Sequence, residues 1–173
     1  MSERRETKLI HTAGIDPLTG AVNVPIYLSS TFHQESIDSF GPFDYSRSGN
    51  PTRKSLEETI AKLEGGTRGL AFSSGMAAIS SAFMLLKAGD HVLVSEDVYG
   101  GTYRFITEVL EKFKVDYTFV DMTDLGEVAA AFLPNTKVVY IETPSNPVMK
   151  ITDIEIAAKF SKSNDAMTFV DKT

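Results

Sequence analysis

The stretch HVLVSEDVYGGTYRFITEVLEKFKVDYTFV, residues 91–120, carries the clearest indication of the fold. Its apolar segment His91–Val94 predicts a short strand, Thr102–Phe113 predicts a helix, and Val115–Val120 predicts a second strand. A strand, a helix and a strand in direct succession are typical of a parallel sheet whose connections are helices. This stretch therefore predicts an α/β fold.

The same alternation continues on both sides of this stretch. Towards the C-terminus it predicts helices at Asp124–Phe132 and Thr152–Phe160, the second capped by Thr152, and strands at Val138–Ile141 and Met167–Val170. Towards the N-terminus it predicts a helix from Pro51 to Gly65–Gly66, a strand at Gly69–Phe72 and a helix at Met76–Lys87. Residues 51–173 are therefore expected to form a largely parallel sheet. Residues 1–50 show little helical periodicity and recurrent glycine and proline, and are expected to form an extended arm.

Composition excludes several classes of function. The 173 residues are 42% hydrophobic, which suits one domain or most of one with a substantial core. A formal charge of −6 disfavours a nucleic-acid or anionic-membrane surface, because phosphate backbones are bound by clustered Lys and Arg. There is no cysteine, the first residues are charged, and no apolar run approaches about 20 residues. We therefore expect a cytoplasmic protein with no nucleic-acid or membrane partner.

Polar and unusual residues follow the predicted strands, and open α/β sheets bind ligands at the carboxyl ends of their strands. In FSSGMAAI (72–79), small side chains and a helix N-terminus suit a bound phosphate. The alternative is that Ser74 only caps the helix. The sequence contains neither G-x-G-x-x-G nor G-x-x-x-x-G-K-[ST], so dinucleotide and P-loop sites lack their signatures.

Two further loops contain candidate ligand contacts. In DVYGGTYR (97–104), Tyr99 precedes two glycines, and its ring could stack on a planar ligand or could simply be a core side chain. In ETPSNP (142–147), two prolines fix a loop that presents Asn146, although such a segment can also be an ordinary turn.

Asp171 follows the last predicted strand, where a carboxylate could cap a helix, bind a metal or pair with a cation. A metal is weakly supported, because His11, His33 and His91 are scattered and no carboxylate cluster accompanies Asp171. A stacking tyrosine, a phosphate-binding helix end and an acid facing a protonated ring nitrogen together describe a site for pyridoxal 5′-phosphate (PLP).

Five motifs taken together closely resemble the Cys/Met-metabolism family of PLP-dependent enzymes: YSRSGNPT (45–52), FSSGMAAI (72–79), DVYGGTYR (97–104), ETPSNP (142–147) and FVD (169–171). The resemblance extends over the whole chain. It implies the large domain of fold-type I PLP enzymes, an α/β domain with a mostly parallel sheet and helices on both faces, of which residues 51–173 are the N-terminal part. It also implies that the arm, residues 1–50, contacts a neighbouring subunit in a homotetramer built from dimers.

The resemblance assigns roles by position. Tyr45 and Arg47 match a pair that binds the cofactor phosphate of a neighbouring subunit. The amides of Gly75 and Met76 match the phosphate-binding backbone. Tyr99 matches a ring that stacks on the pyridine and assists proton transfer.

Two more positions match ring contacts. Asn146 matches the contact to the 3′-oxygen of the cofactor, and Asp171 matches the partner of the pyridine nitrogen. Within the family, overall resemblance that includes STFHQ (30–34) favours a cystathionine β-lyase, which forms homocysteine, pyruvate and ammonia. Cystathionine γ-synthase, cystathionine γ-lyase and methionine γ-lyase are the alternatives; Gly101, where methionine γ-lyases tend to have Cys, disfavours the last. A non-catalytic PLP-binding fragment is the alternative of another class.

The sequence departs from the family at two points. Lys172 stands where the family usually has Asn, and alternation along the strand predicts that it points away from the contacts of Asp171. The Schiff-base lysine, which in relatives follows Ser-x-Thr, has no counterpart here. We therefore expect the chain to be the N-terminal portion of a longer enzyme, inactive alone and prone to associate through an uncovered sheet edge.

Overall fold

The structure is a computed structural model that describes residues 4–11 and 14–173. Residues 1–3, 12 and 13, which belong to the predicted arm, lie outside the described part, as do the side chains of Arg5 and His11. The chain divides into two compact units, Met1–Phe72 and Ser73–Thr173.

The first unit contains two helices, α1 (Arg5–His11) and α2 (Pro51–Glu64). The sequence predicted α2 but not α1. Asn50 caps α2 by accepting the Thr52 N–H at 2.9 Å, and Gly65 ends it in the left-handed conformation with φ +66°. None of the described residues of this unit is buried. Its apolar side chains are therefore available for contacts outside the unit.

The second unit contains the sheet and the remaining helices, with the following bounds: α3 (Gly75–Phe83), β1 (His91–Ser95), α4 (Gly100–Glu108), a 3-10 helix (Leu110–Phe113), β2 (Asp116–Val120), α5 (Leu125–Ala131), β3 (Thr136–Glu142), α6 (Ile154–Ser163) and β4 (Met167–Asp171). The four strands are all parallel, in the order β2-β1-β3-β4. The α/β fold with a parallel sheet is thus confirmed.

Helices cover both faces of the sheet, because successive strand residues point to opposite sides. On one face, Val92, Val94, Val138 and Tyr140 pack with Phe83 of α3 and Ile106 of α4. On the other face, Leu93, Val139 and Ile141 pack with Val128 of α5 and Ala157 of α6. The near-continuous apolar runs of β1 and β3 are explained by this two-sided burial.

Four local predictions were wrong. Gly69–Phe72 is not a strand: the Ala71 N–H donates to Glu57 Oε1 at 3.0 Å, so a side chain replaces the strand ladder. The helix predicted at Met76–Lys87 ends at Phe83, and the one predicted at Thr102–Phe113 is α4 followed by a 3-10 helix. The cap of α6 is Asp153, which accepts the Ile156 N–H at 3.0 Å, whereas Thr152 is buried.

His91 connects three strands near their amino ends. Its side chain is 1% exposed, with Nδ1 2.8 Å from Thr136 Oγ1 on β3 and Nε2 2.9 Å from Thr118 Oγ1 on β2. Burial lowers the pKa of His91, an effect that the nearby Asp116 carboxylate opposes. This histidine is buried and bridges neighbouring strands, so it is structural.

Candidate functional site

A cavity of about 410 Å³ lies at the carboxyl ends of the strands in the second unit. Five residues predicted from the sequence line it: Gly75, Met76, Tyr99, Asn146 and Asp171. Glu142 and Thr173, which the sequence did not single out, also line it.

The strand order explains the location of this cavity. The chain passes from β1 to β2 on one side and later returns to β3 on the other side of β1. Loops that leave β1 and β3 therefore diverge, and open α/β sheets bind ligands in the crevice formed there. Tyr99 follows β1 and Asn146 follows β3, so both loops reach this crevice.

The N-terminus of α3 forms one wall. Ser74 Oγ accepts the Ala77 N–H at 3.1 Å, so Ser74 caps α3. The Gly75 and Met76 N–H groups, at the first two helical positions, have no carbonyl partner within the helix. A Cβ at Gly75 would lie 3.5 Å from the Thr173 side chain, which is an ordinary van der Waals contact, so Thr173 lies beside this helix end. Capping and anion binding are therefore compatible here.

Asp171 is the last residue of β4 and is half-buried. Burial raises the pKa of its carboxyl group, but hydrogen bonds from the Thr173 hydroxyl (2.7 Å), the Thr173 N–H (2.9 Å) and the Tyr140 hydroxyl (2.8 Å) outweigh burial and lower it overall. The group is consequently ionised at neutral pH and can pair with a cationic atom in the cavity.

Tyr99 is half-exposed rather than a core side chain. Its N–H donates to Glu142 Oε2 at 2.7 Å, and its carbonyl accepts the Tyr103 N–H at 3.0 Å, which begins α4. A Cβ at residue 101 would lie 2.4 Å from Tyr99 Cε1 and 3.0 Å from Met76 Sδ. Gly101 is therefore what allows the Tyr99 ring to occupy this position.

The loop that contains Asn146 is fixed by its neighbours. Ser145 is buried, its N–H donates to the Lys150 carbonyl at 3.0 Å, and its hydroxyl accepts the Lys150 N–H at 2.9 Å. The Lys150 ammonium in turn contacts Glu96 at 2.7 Å and Asp121 at 2.5 Å, in the loops after β1 and β2. Asn146 is exposed at the tip of this supported loop.

Tyr45 and Arg47 belong to the first unit. The guanidinium carbon of Arg47 lies 5.1 Å from the centroid of the Tyr45 ring, in cation–π contact, and both side chains are exposed. They form a pair on the surface of that unit, whereas the other five predicted residues surround the cavity of the second.

Sequence reasoning missed Tyr140 and Glu142. Tyr140 is 2% exposed and Glu142 is 8% exposed. Glu142 is the register partner of Asp171, and Tyr140 lies two residues before it on the same face of β3. The two-residue period of KVVYIE (137–142) places Tyr140 and Glu142 on one face of a strand, but only the register with FVD brings that face beside Asp171.

The arrangement fits PLP. A helix end can receive a phosphate, an ionised acid can face a protonated ring nitrogen, and an exposed aromatic ring and an amide side chain lie on the same cavity. Within residues 4–11 and 14–173, no group of three or more His, Asp or Glu is placed to hold a metal ion. In that same part of the chain, no helix has the length and apolar character needed to cross a membrane.

Known proteins resemble this chain closely. It is 63% identical over 169 residues to the cystathionine beta-lyase MetC of Bacillus subtilis (strain 168). The aligned region covers 97% of this chain and 43% of that protein. It is 48% identical over 172 residues to the cystathionine gamma-lyase of the same organism, covering 98% of this chain and 45% of that protein.

A solved structure agrees with these relatives. The crystal structure of cystathionine gamma-lyase from Lactobacillus plantarum complexed with L-serine matches 99% of this chain and 45% of its own, with a TM-score of 0.93 and 49% identity. The chain thus spans less than half the length of each of these proteins. The family model described as "Cys/Met metabolism PLP-dependent enzyme" matches residues 6–173. Because that match covers nearly every residue, the chain belongs to the Cys/Met-metabolism family of PLP-dependent enzymes.

Proposed function

We propose that residues 1–173 bind PLP in a carbon–sulfur lyase that cleaves cystathionine by β-elimination, giving homocysteine, pyruvate and ammonia. The observation that carries this proposal is that Asp171, with a lowered pKa, lines the same cavity as the free N–H groups of α3 and the Tyr99 ring. The 63% identity with a cystathionine beta-lyase favours this reaction over the others in the family.

Each residue has a distinct proposed role. The N–H groups of Gly75 and Met76 bind the phosphate with the positive end of the helix dipole. The Asn146 amide contacts the 3′-oxygen, and the Tyr99 ring covers one face of the pyridine and assists proton transfer. PLP supplies an electron-withdrawing ring that stabilises the negative charge left on Cα when a substrate loses its proton.

Asp171 determines how strongly that ring withdraws electrons. An opposite-charge pair about 4 Å apart at an effective dielectric of about 20 is worth about 4 kcal/mol, or about three pKa units. A stabilisation of this size keeps a weakly basic ring nitrogen protonated near neutral pH. Its three hydrogen bonds fix Asp171 as the charged acceptor that this role needs.

Tyr45 and Arg47 are proposed to serve a second subunit. An arginine fork binds phosphate oxygens through two parallel donors, which a lysine cannot do. The absence of buried residues among the described part of the first unit, together with exposed Leu18 and Leu28, supports an arm, residues 1–50, that contacts a neighbour. The homotetramer and the cytoplasmic location stay predictions.

Product analysis of the complete gene product tests the reaction. Pyruvate is the keto acid expected from cystathionine. Formation of 2-oxobutyrate instead would show that the enzyme is a γ-lyase and not a β-lyase. Asp171→Asn should lower kcat by at least about a hundredfold, because the uncharged amide no longer stabilises the protonated ring. Asp124→Asn is the matched control, since Asn also caps α5 and activity should be retained.

The competing non-catalytic PLP-binding fragment makes a different prediction. It would show the visible absorption of bound cofactor but form no keto acid from cystathionine, cysteine or methionine. Normal turnover by Asp171→Asn, or no cofactor absorption in the wild type, would contradict the proposed site itself.

A further inference from the structure

Glu142 is a buried carboxylate that the proposed reaction does not yet use. It is the last residue of β3, is 8% exposed and lines the cavity beside Asp171. Burial raises the pKa of Glu142, and the neighbouring carboxylates of Asp171 and Asp97 raise it further. A carboxylate in such surroundings is costly unless hydrogen bonds compensate it.

Those compensating bonds come from two different loops. The Tyr99 N–H donates to Glu142 Oε2 at 2.7 Å. Both this N–H and the Asn146 N–H lower the pKa of the Glu142 carboxyl group and so oppose the effect of burial. Tyr99 is in the loop after β1, and Asn146 is in the loop after β3. One side chain therefore connects the backbones of two proposed ring contacts.

The connection fixes Tyr99 on both sides. Its N–H is bound to Glu142, and its carbonyl accepts the first helical hydrogen bond of α4. The backbone of Tyr99 thus has little freedom to rotate, and this sets the direction in which its Cα–Cβ bond carries the ring.

We infer that Glu142 is a positioning residue that places the Tyr99 ring and the Asn146 amide on the cofactor ring. This inference rests on the proposed PLP function. Glu142 acts through these two residues and is not assigned a contact with substrate.

A second link between the same loops provides the control. Asp97 Oδ2 accepts a hydrogen bond from the Ser145 hydroxyl, which also joins the loop after β1 to the loop after β3. Asp97 does not line the cavity. Asp97→Asn weakens this link, because a charged acceptor becomes a neutral one, and leaves the bond from Tyr99 to Glu142 in place. If weakening any link between these loops were sufficient, Asp97→Asn and Glu142→Gln would have equal effects.

The test compares Glu142→Gln with Asp97→Asn in the complete gene product. Glutamine has the same size but one accepting oxygen, so its NH₂ group faces one of the two N–H donors. Glu142→Gln should raise the Kd for PLP about tenfold, as expected for one lost charge-assisted hydrogen bond. At saturating PLP it should also weaken the induced circular dichroism of the bound cofactor, which reports how the ring is set.

Amide exchange gives a readout without cofactor. In PLP-free protein, Glu142→Gln should speed hydrogen exchange at the Tyr99 amide about tenfold, while Asp97→Asn changes neither exchange there nor PLP binding. Equal PLP affinity, dichroism and exchange in Glu142→Gln and wild type would overturn the inference, as would equal effects of the two variants.

The test separates failure of the proposed PLP function from failure of the inference about Glu142. Wild-type protein that binds no PLP overturns the proposed function and this inference with it, whereas normal wild-type binding with an unaffected Glu142→Gln overturns the inference alone. If Glu142→Gln does not fold, Glu142→Asp decides: it keeps the charge, but its shorter carboxylate cannot reach both amides. It should show the same loss of affinity and dichroism, and wild-type values would overturn the inference.

Discussion

The buried hydroxyl of Tyr140 donates a hydrogen bond to Asp171 Oδ2 at 2.8 Å, between neighbouring strands of the sheet. The Tyr140 ring stacks on Phe83 of α3 with centroids 5.4 Å apart, so its position is set by the core. The acid proposed to face the cofactor is therefore oriented by packing in the interior of the second unit.

Replacing Tyr140 by Phe should raise the pKa of Asp171 and destabilise the fold. The variant keeps the ring but removes one of three donors to the carboxylate, at a cost of about 1–2 kcal/mol at neutral pH. Because the folded pKa of Asp171 is lowered, its contribution to stability is present above the unfolded pKa and is lost as pH falls through the folded pKa. Urea unfolding at pH 7 and pH 3 should show a smaller difference from wild type at the lower pH. Tyr103→Phe, at an exposed site, should change stability little, and an equal loss there would contradict the argument.

The Asp121–Lys150 pair should contribute to acid sensitivity. The hydrogen bond from Lys150 lowers the pKa of Asp121 from 3.8 to about 2, with further hydrogen bonds from Thr123. The stabilisation is therefore present above about pH 4 and is lost as pH falls towards 2. Asp121→Asn should flatten the fall in melting temperature across that window, while Glu108→Gln at an exposed site of α4 should keep the wild-type slope. Identical slopes in Asp121→Asn and wild type would refute the assignment.

His91 should make the protein less stable in mild acid. Its folded pKa is lowered, chiefly by burial, so the unfolded chain binds a proton more readily and stability falls as pH drops below the unfolded value of about 6.5. His91→Gln, which can still bond to Thr118 and Thr136, should lose this slope between about pH 7 and pH 5. His33→Gln, at an exposed position, should retain this dependence of stability on pH. Loss of the slope in that control would show that burial of His91 is not its cause.

Gly69 should not tolerate a side chain. A Cβ there would lie 2.2 Å from the Glu57 carbonyl oxygen and 3.0 Å from its carbonyl carbon, and neither backbone atom can move without distorting α2. Gly69→Ala should cost at least about 2 kcal/mol, or lead to poor expression. Gly66→Ala is the matched control, since its nearest contact would be an ordinary 3.7 Å, and its cost should be much smaller. Equal melting temperatures for the two variants would contradict this prediction.

The strands of the second unit were predictable because their signal is local. β1, β2, β3 and β4 lie within one or two residues of the segments expected from apolar runs, and the parallel order follows from the helices between them. Gly69–Phe72 has the composition of a strand but lacks a neighbouring strand to pair with. Pairing is a property of the whole fold, which a short apolar run cannot reveal.

The site was predictable where a residue type is unusual for its place. Tyr99 before two glycines and Asp171 after an apolar run are conspicuous in the sequence, and both line the cavity, although their roles stay predictions. Tyr140 and Glu142 were missed because a tyrosine in an apolar strand is ordinary, and a glutamate at a strand end looks solvated. Their importance depends on β3 and β4 being neighbours in register.

The amino and carboxyl ends of the strands in the second unit carry different kinds of residue. Near one end, the imidazole of residue 91 bridges threonines on the two neighbouring strands, while at the other end the loops carry the residues proposed to contact a ligand. Substitutions in the loops at the carboxyl ends of the strands can therefore leave the hydrogen bonds of His91 intact. A cystathionine beta-lyase and a cystathionine gamma-lyase both align along almost all of this chain, so proteins named for different reactions share this sequence framework.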